Sequence, residues 1–432
     1  MLVLMPRDPV EKIAYFIGVF PAVADFYAFN MPFPGMNYLI KLSYFKVAIL
    51  VILLPIAISN VMSKRQPNPQ INWNLVDSCV IFFAVYVALM TLREASFTAT
   101  LRVVVDQFIV IVVPYLAISR TLTTKDAVDR ALWGFLFMAV LTAWATAFSF
   151  LIQREFYTIH DTPGFTFRHG LLRVSTTMNT ASVCSAAVCG FVIAQYFRKQ
   201  SLMPRLQVWI LYLVFIAALL GTANRGGQLQ LGLALMAIFG LKTLGVGFRR
   251  LLLIGGALAL LIIWPMIDWV AIDPTFAYRA DLISASMLQF ADHPFFGQVN
   301  FSANHYFDHL GQSFSRFGVR EERFIDVVNW YLQVLLEYGL VGLLSFALPL
   351  LITVSWLYRQ CSSSEVGSDE KLLFRYFVAL FGAFVVVMAT TSGISLMPLM
   401  LIILLAIARA LTTMGSPKLV GQDNRKAKSV GV

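Results

Sequence analysis

The chain has 432 residues, 59% hydrophobic and only 13% charged, with a mean hydropathy of +0.75. A soluble domain is roughly 45–50% apolar and about 25% charged, so a water-soluble globule is excluded and the excess apolar surface requires lipid. The formal charge of +10 then reads as loop topology rather than as a nucleic-acid footprint, and the four cysteines form neither a CxxC pair nor a Cys/His metal cluster.

A bilayer crossing takes about 20 apolar residues, and such runs predict an all-α integral membrane protein of about twelve transmembrane helices. In chain order they are Ile13–Phe29, Tyr38–Met62, Leu75–Leu92, Val103–Ser119, Ala131–Ile152, Thr180–Phe197, Leu206–Leu220, Gly226–Leu241, Leu251–Val270, Asn329–Leu357, Leu372–Thr391 and Leu396–Ala408. This divides the chain into a membrane region 1–270 with nine spans, a large loop 271–328, a membrane region 329–411 with three spans, and a tail 412–432. Arg7 and Lys12 ahead of an apolar run ending Ala22-Val23-Ala24 resemble a signal peptide, but the many following spans and Asp25 favour an uncleaved first span. With both ends in the cytoplasm, the inner segments hold 21 Lys and Arg against 10 in the outer ones, the excess that cytoplasmic segments carry. Lys41 and Lys46 fall inside the second span.

All ten outer basic residues are arginine, whereas the inner ones mix nine lysines with twelve arginines. Guanidinium grips phosphate oxygens through a two-pronged fork and stays charged when partly dry. The plainer alternative is ion pairing with outer acids such as Asp281, Glu321 and Glu322. Arg225 lies between glycines in Gly221-Thr222-Ala223-Asn224-Arg225-Gly226-Gly227, at the start of a helix whose free N–H groups suit an anion; snorkelling to the headgroups is the competing reading. Arg168, His169 and Arg173, ahead of Asn179, form a second basic approach.

The loop between Ala271 and Val328, about 58 residues, is far longer than ordinary connections. Its eleven Phe and Tyr residues predict packed structure rather than disorder. Within it, Ala277–Phe290 has helical spacing and ends at Asp292-His293-Pro294. It reads as an amphipathic helix at the outer surface with Arg279 on its first turn. Asp326, Asn329, Gln333 and Glu337 are spaced for one helical face, a polar stripe leading into the tenth span. A continuous helix places Glu337 about 16 Å beyond Asp326, toward the hydrocarbon centre, where an ionisable group marks a functional site or a hydrogen-bonded seam.

Taken in order, Thr222-Ala223-Asn224-Arg225-Gly226-Gly227, Tyr278-Arg279, Asp292-His293-Pro294-Phe295-Phe296-Gly297, Asn329-Trp330-Tyr331-Leu332 and Glu337-Tyr338-Gly339-Leu340-Val341-Gly342 resemble the O-antigen ligase and O-antigen polymerase superfamily, over roughly Arg173 to Phe346. The resemblance implies a GT-C-like membrane glycosyltransferase acting at the periplasmic face on glycans carried by undecaprenyl pyrophosphate, with no cofactor, nucleotide-sugar or metal. It implies that Arg225 and Arg279 bind the pyrophosphate, with Arg173 as a third basic position. Many members, the ligases in particular, have a histidine where this chain has Val328, which counts against a ligase mechanism built on that imidazole.

Such a reaction needs cations where charge develops on the departing oxygen and an acceptor hydroxyl held for in-line displacement. Arg225 and Arg279 suit the first task; Asp326, His305 or Glu337 suits the second, and Arg173, Asn329, Gln333 and Glu337 are candidate substrate contacts. The expected function is polymerisation of lipid-linked repeat units of O-antigen or exopolysaccharide. Its rivals are ligation of the glycan to lipid A core and, from another class, a lipid-linked oligosaccharide flippase. Expected partners are the lipid-linked glycan, an acceptor glycan or lipid A core, membrane lipids and other polysaccharide assembly proteins, and no nucleic acid.

Overall fold

The computed structural model describes residues 5–23, 28–33, 36–62, 73–153, 167–168, 171–172, 178–222, 224–243, 275–308, 310, 315–316, 319–320, 327, 329–362, 367–391 and 396–414. The ninth expected span, Arg173, Asp326, Val328 and nearly all of the 412–432 tail lie outside these residues. Twelve helices of eleven or more residues are described: α1 (Pro9–Val19), α2 (Tyr44–Met62), α3 (Leu75–Glu94), α4 (Phe97–Thr121), α5 (Lys125–Ile152), α6 (Thr180–Lys199), α7 (Arg205–Thr222), α8 (Arg225–Thr243), α9 (Thr275–Asp292), α10 (Trp330–Ser362), α11 (Ser368–Thr390) and α12 (Met397–Met414). Among the described residues, nine of them are long and apolar enough to cross a membrane: α2 to α7 and α10 to α12. The protein is therefore a helical membrane protein, and the strands form only short hairpins.

The largest departure from the sequence reading is at the N-terminus. The expected first span ends early, α1 having only eleven residues, and the chain then forms an antiparallel hairpin, β1 (Ala28–Phe33) on β2 (Met36–Ser43). Phe29 is in β1, and Tyr38–Ser43, read as the start of the second span, is in β2. Arg102 fastens the hairpin to α4: its Nε donates to the Tyr38 carbonyl at 2.9 Å and its guanidinium stacks 4.1 Å from the Tyr38 ring.

The helices alternate in direction. At one end, here the near end, Arg130 at the start of α5 meets Glu11 of α1, and the Tyr196 hydroxyl near the end of α6 donates to Asp129 at 2.8 Å. α1 and α5 run side by side, so closely that a β-carbon on Gly134 would sit 2.2 Å from the Ala14 carbonyl oxygen; small residues permit such helix contacts in membranes. At the far end, the Cys184 sulfur of α6 lies 2.8 Å from the Thr222 hydroxyl of α7, and Glu94 at the end of α3 accepts from the Asn300 amide at 3.1 Å.

The near end also holds a buried ion cluster. Asp77, fully buried in the first turn of α3, accepts from Arg409 of α12 (3.2 Å), from the Tyr115 hydroxyl of α4 (2.8 Å) and from the Asn74 amide (3.0 Å), with Arg120 at 3.1 Å. Arg120 and Arg409, counted from sequence among the cytoplasmic loop charges, instead turn inward onto this carboxylate.

Three helices are irregular, each for a legible reason. α2 widens to a π-helical turn at Ile49–Leu53 and α4 at Phe108–Val112. Pro55 and Pro114 follow these turns, and a proline ring pushes away the carbonyl four residues earlier, here Val51 and Val110. α10 is folded at Gly339, which has φ +65° and ψ −166°. Residues 330 and 346 would stand about 24 Å apart along a straight helix, yet the rings of Trp330 and Phe346 are 5.3 Å apart and those of Tyr331 and Phe346 6.0 Å. Residues 330–338 thus form a short helix folded against residues 340–362. The latter, about 33 Å long, suffice to span a bilayer.

Candidate functional site

The far end is organised around that fold. The turn His293–Gln298, which follows α9, docks on it by backbone hydrogen bonds: Gln298 N to Leu336 O (2.8 Å), Leu340 N to Pro294 O (2.9 Å) and Val341 N to Phe295 O (3.2 Å). In an unbroken helix the amides of Leu340 and Val341 would go to Leu336 and Glu337. The loop supplies substitutes, so both amides keep an acceptor. Two contacts from α3 secure the assembly: Arg93 at its end donates to the Gly297 carbonyl at 2.6 Å and pairs with Glu94, and the Tyr86 hydroxyl, two turns earlier, donates to the Tyr338 carbonyl at 2.9 Å.

α9 lies beside the short helix. Leu282, Ala285, Ser286 and Gln289 are its buried face, and a small core joins Leu282 and Ala285 to Phe301, Phe307, Leu310, Val327 and Leu336. Gln289 donates to Gln298 at 2.8 Å and accepts from Asn304. The Tyr306 hydroxyl donates to Asp292 at 2.9 Å, a hydrogen bond that raises the Tyr306 pKa. The opposite face exposes Ile283, Met287 and Leu288, the amphipathic pattern expected at a membrane surface. The helix starts at Thr275, so Arg279 sits on its second turn rather than its first. It is half-buried, seven residues before Ser286 and on the same face.

Arg225 opens α8 and is exposed. Asn224 caps the helix, its side-chain oxygen accepting from the Gly226 and Gly227 amides at 2.9 and 3.4 Å. That first turn touches Thr390 and Thr391 at the end of α11. α8 packs on α6 and α11, and α9 on α10, so Arg225 and Arg279 come from helices at opposite ends of the contact order α8–α11–α10–α9. His305 is exposed in a short 3-10 turn, its ring 4.1 Å from that of Tyr306. Asn329 caps the short helix, accepting from the Leu332 amide at 3.1 Å.

Gln333 and Glu337 share a hydrogen bond at 2.9 Å and face a cavity of about 300 Å³. The polar stripe therefore belongs to the short helix and does not run down the axis of a span; the fold at Gly339 replaces the depth that a straight helix would give Glu337. The cavity lies among α2, α3, α4, α10 and α12. Beyond the stripe, its polar lining comes from Lys46, Asp106, Gln107, Tyr338 and Ser345. Lys46 pairs with Asp106. In the sequence Lys46 reads only as a charge inside a span, and no motif singles out Asp106. The signal was present, because an ionisable residue in an apolar run needs a partner or a wet cavity, but two positions sixty residues apart cannot be paired by pattern. Each polar wall adjoins an irregularity: Lys46 precedes the π-turn of α2, Asp106 and Gln107 precede that of α4, and Glu337 precedes the fold of α10.

Arg93 and Arg102, both placed on the outer side by the sequence reading, have structural duties, donating to the backbone carbonyls of Gly297 and Tyr38. Compared with known proteins, the chain matches no family model and no curated protein.

Proposed function

We propose that the protein is a membrane glycosyltransferase that polymerises lipid-linked repeat units, transferring a glycan from undecaprenyl pyrophosphate to an acceptor sugar hydroxyl at the periplasmic face, with inversion. The observation that carries this reading is the docking of Asp292–Gly297 on Glu337–Val341. Two of the motifs behind the resemblance, some forty residues apart, form one device at the far end, the end that bears Arg225 and that the Lys/Arg bias assigns to the periplasm.

In this reading Arg225 and Arg279 hold the diphosphate and balance the charge that develops as the sugar departs. The acceptor hydroxyl attacks the anomeric carbon from the opposite side and loses its proton to a base drawn from Asp326, His305 or Glu337. Asn329 and Gln333 lie along the same short helix as Glu337, and Arg173 adds a further cation.

The test is an assay of purified protein with undecaprenyl-pyrophosphate-linked repeat units. Lengthened lipid-linked product is expected. Transfer only to lipid A core makes the protein a ligase, and movement of the glycan across the bilayer without covalent change makes it a flippase; either result overturns the proposal.

A further inference from the structure

The cavity under the short helix has a chemistry opposite to that of a phosphate site. Lys46 is committed to Asp106. Glu337 accepts from Gln333 and from Tyr338, both neutral donors, and none of the ion pairs among the described residues includes it. The side-chain oxygen of Gln107 is a buried acceptor without a partner. With Lys46 and Asp106 paired, the Glu337 carboxyl and the Gln107 oxygen are acceptors with no cation of their own, so a phosphate finds no counter-charge here and a cationic donor would complete both.

The walls narrow the class further. Phe83, Trp330, Tyr338 and Phe346 bring aromatic rings to the polar end, and ring faces attract cations, most strongly where water is excluded. Much of the remaining lining is aliphatic, from residues such as Ile111, Leu350, Ile402 and Leu405. At about 300 Å³ the space lies within the range of small-molecule pockets and is far too large for a bare metal ion.

We propose that this cavity binds an amphipathic organic cation, with a protonated amine held between Glu337, the Gln107 oxygen and the aromatic walls, and an alkyl portion among the deep aliphatic residues. The site is distinct from the arginines assigned to the diphosphate. The π-turns of α2 and α4 and the fold of α10 aim its polar groups inward, as discontinuous helices do at binding sites in membrane transporters. Glu337 is also one of the three candidate bases of the proposed transfer, but the readout here is binding, which an inactive protein can still show.

The experiment uses the full chain in phosphatidylglycerol nanodiscs, titrated with octylammonium chloride and followed by thermal unfolding. Octanol, octyl sulfate and sodium chloride are the comparison ligands. Saturable stabilisation by octylammonium alone is expected, with affinity falling roughly tenfold or more in Glu337→Gln. Gln107→Leu serves as a second variant with a smaller loss, and the unliganded melting points establish that each variant folds. A second set of nanodiscs includes phosphatidylethanolamine: if it abolishes the octylammonium effect the natural occupant is an amine-bearing lipid, and if not, a soluble amine. Equal stabilisation by octanol, octyl sulfate or sodium chloride, or undiminished binding in folded Glu337→Gln, overturns the proposal.

Discussion

Gly297 and Gly339 meet backbone to backbone, with φ of +62° and +65°. A β-carbon on Gly297 would lie 2.5 Å from the Gly339 nitrogen, and one on Gly339 would lie 2.3 Å from the Phe295 carbonyl oxygen. Both positions are strained for any other residue, and both lack room. Gly339→Ala and Gly297→Ala should each lower stability by about 3–5 kcal/mol, combining backbone strain with overlap in a packed interface. Because each disrupts the same junction, the double variant should lose less than the sum. Thermal unfolding in detergent measures both, and additive losses would separate the two glycines.

Arg225→Lys and Arg279→Lys are expected to impair transfer nearly as much as the alanine variants, since an ammonium cannot reproduce the guanidinium fork. Single-turnover assays with lipid-linked glycan give the comparison; full activity in either lysine variant removes that arginine from the phosphate role.

The Asp77 cluster is a stability element. Asp77→Asn leaves Arg120 and Arg409 facing each other without their shared carboxylate and should cost about 3–5 kcal/mol. Tyr115→Phe deletes one hydrogen bond to the same carboxylate and should cost nearer 1 kcal/mol. Equal losses would mean that the arginines find other partners.

Lys46 and Asp106 form a partly open pair, their side chains 14% and 40% exposed. Either single replacement, Lys46→Met or Asp106→Leu, should cost about 1–3 kcal/mol, moderated by solvent access, and the double replacement should recover much of it. A double-mutant cycle on melting in nanodiscs reads the coupling directly.

The two ends of the bundle can be told apart by labelling. In a chain freed of Cys79, Cys184, Cys189 and Cys361, Ser96→Cys at the far end should react with an impermeant maleimide from the periplasmic side. Ser201→Cys at the near end should react only after the membrane is opened. The reverse pattern inverts the orientation on which the proposed function depends.

The apolar runs predict α3 to α7, α11 and α12 to within six residues at either end, because length and hydropathy alone decide a bilayer crossing. They mislead where apolar sequence serves another purpose. Tyr38–Ser43 is apolar enough to extend a span, yet it is a strand paired to Ala28–Phe33, and the Pro34-Gly35 dipeptide in the sequence between them is the signal that a span does not carry on. The helical period also continues across Gly339, so nothing local to α10 reveals its fold; the cause is the loop carbonyls of Pro294 and Phe295, contributed from forty residues upstream. Of the candidate site, the stripe Asn329, Gln333 and Glu337 was legible as one face, whereas the wall opposite it required the packing of α2 and α4.

Asp77 and Arg409 are separated by 332 residues, which bears on how the chain is made. During synthesis α3 enters the bilayer long before α12 exists, and in the interim the buried carboxylate has Arg120 for company but not its second guanidinium. The near end can close only when α12 arrives. Settling of a charge placed early in the chain is thereby coupled to a helix made more than three hundred residues later, and a chain truncated before Arg409 would present quality-control proteases with an unfinished, hydrated seam.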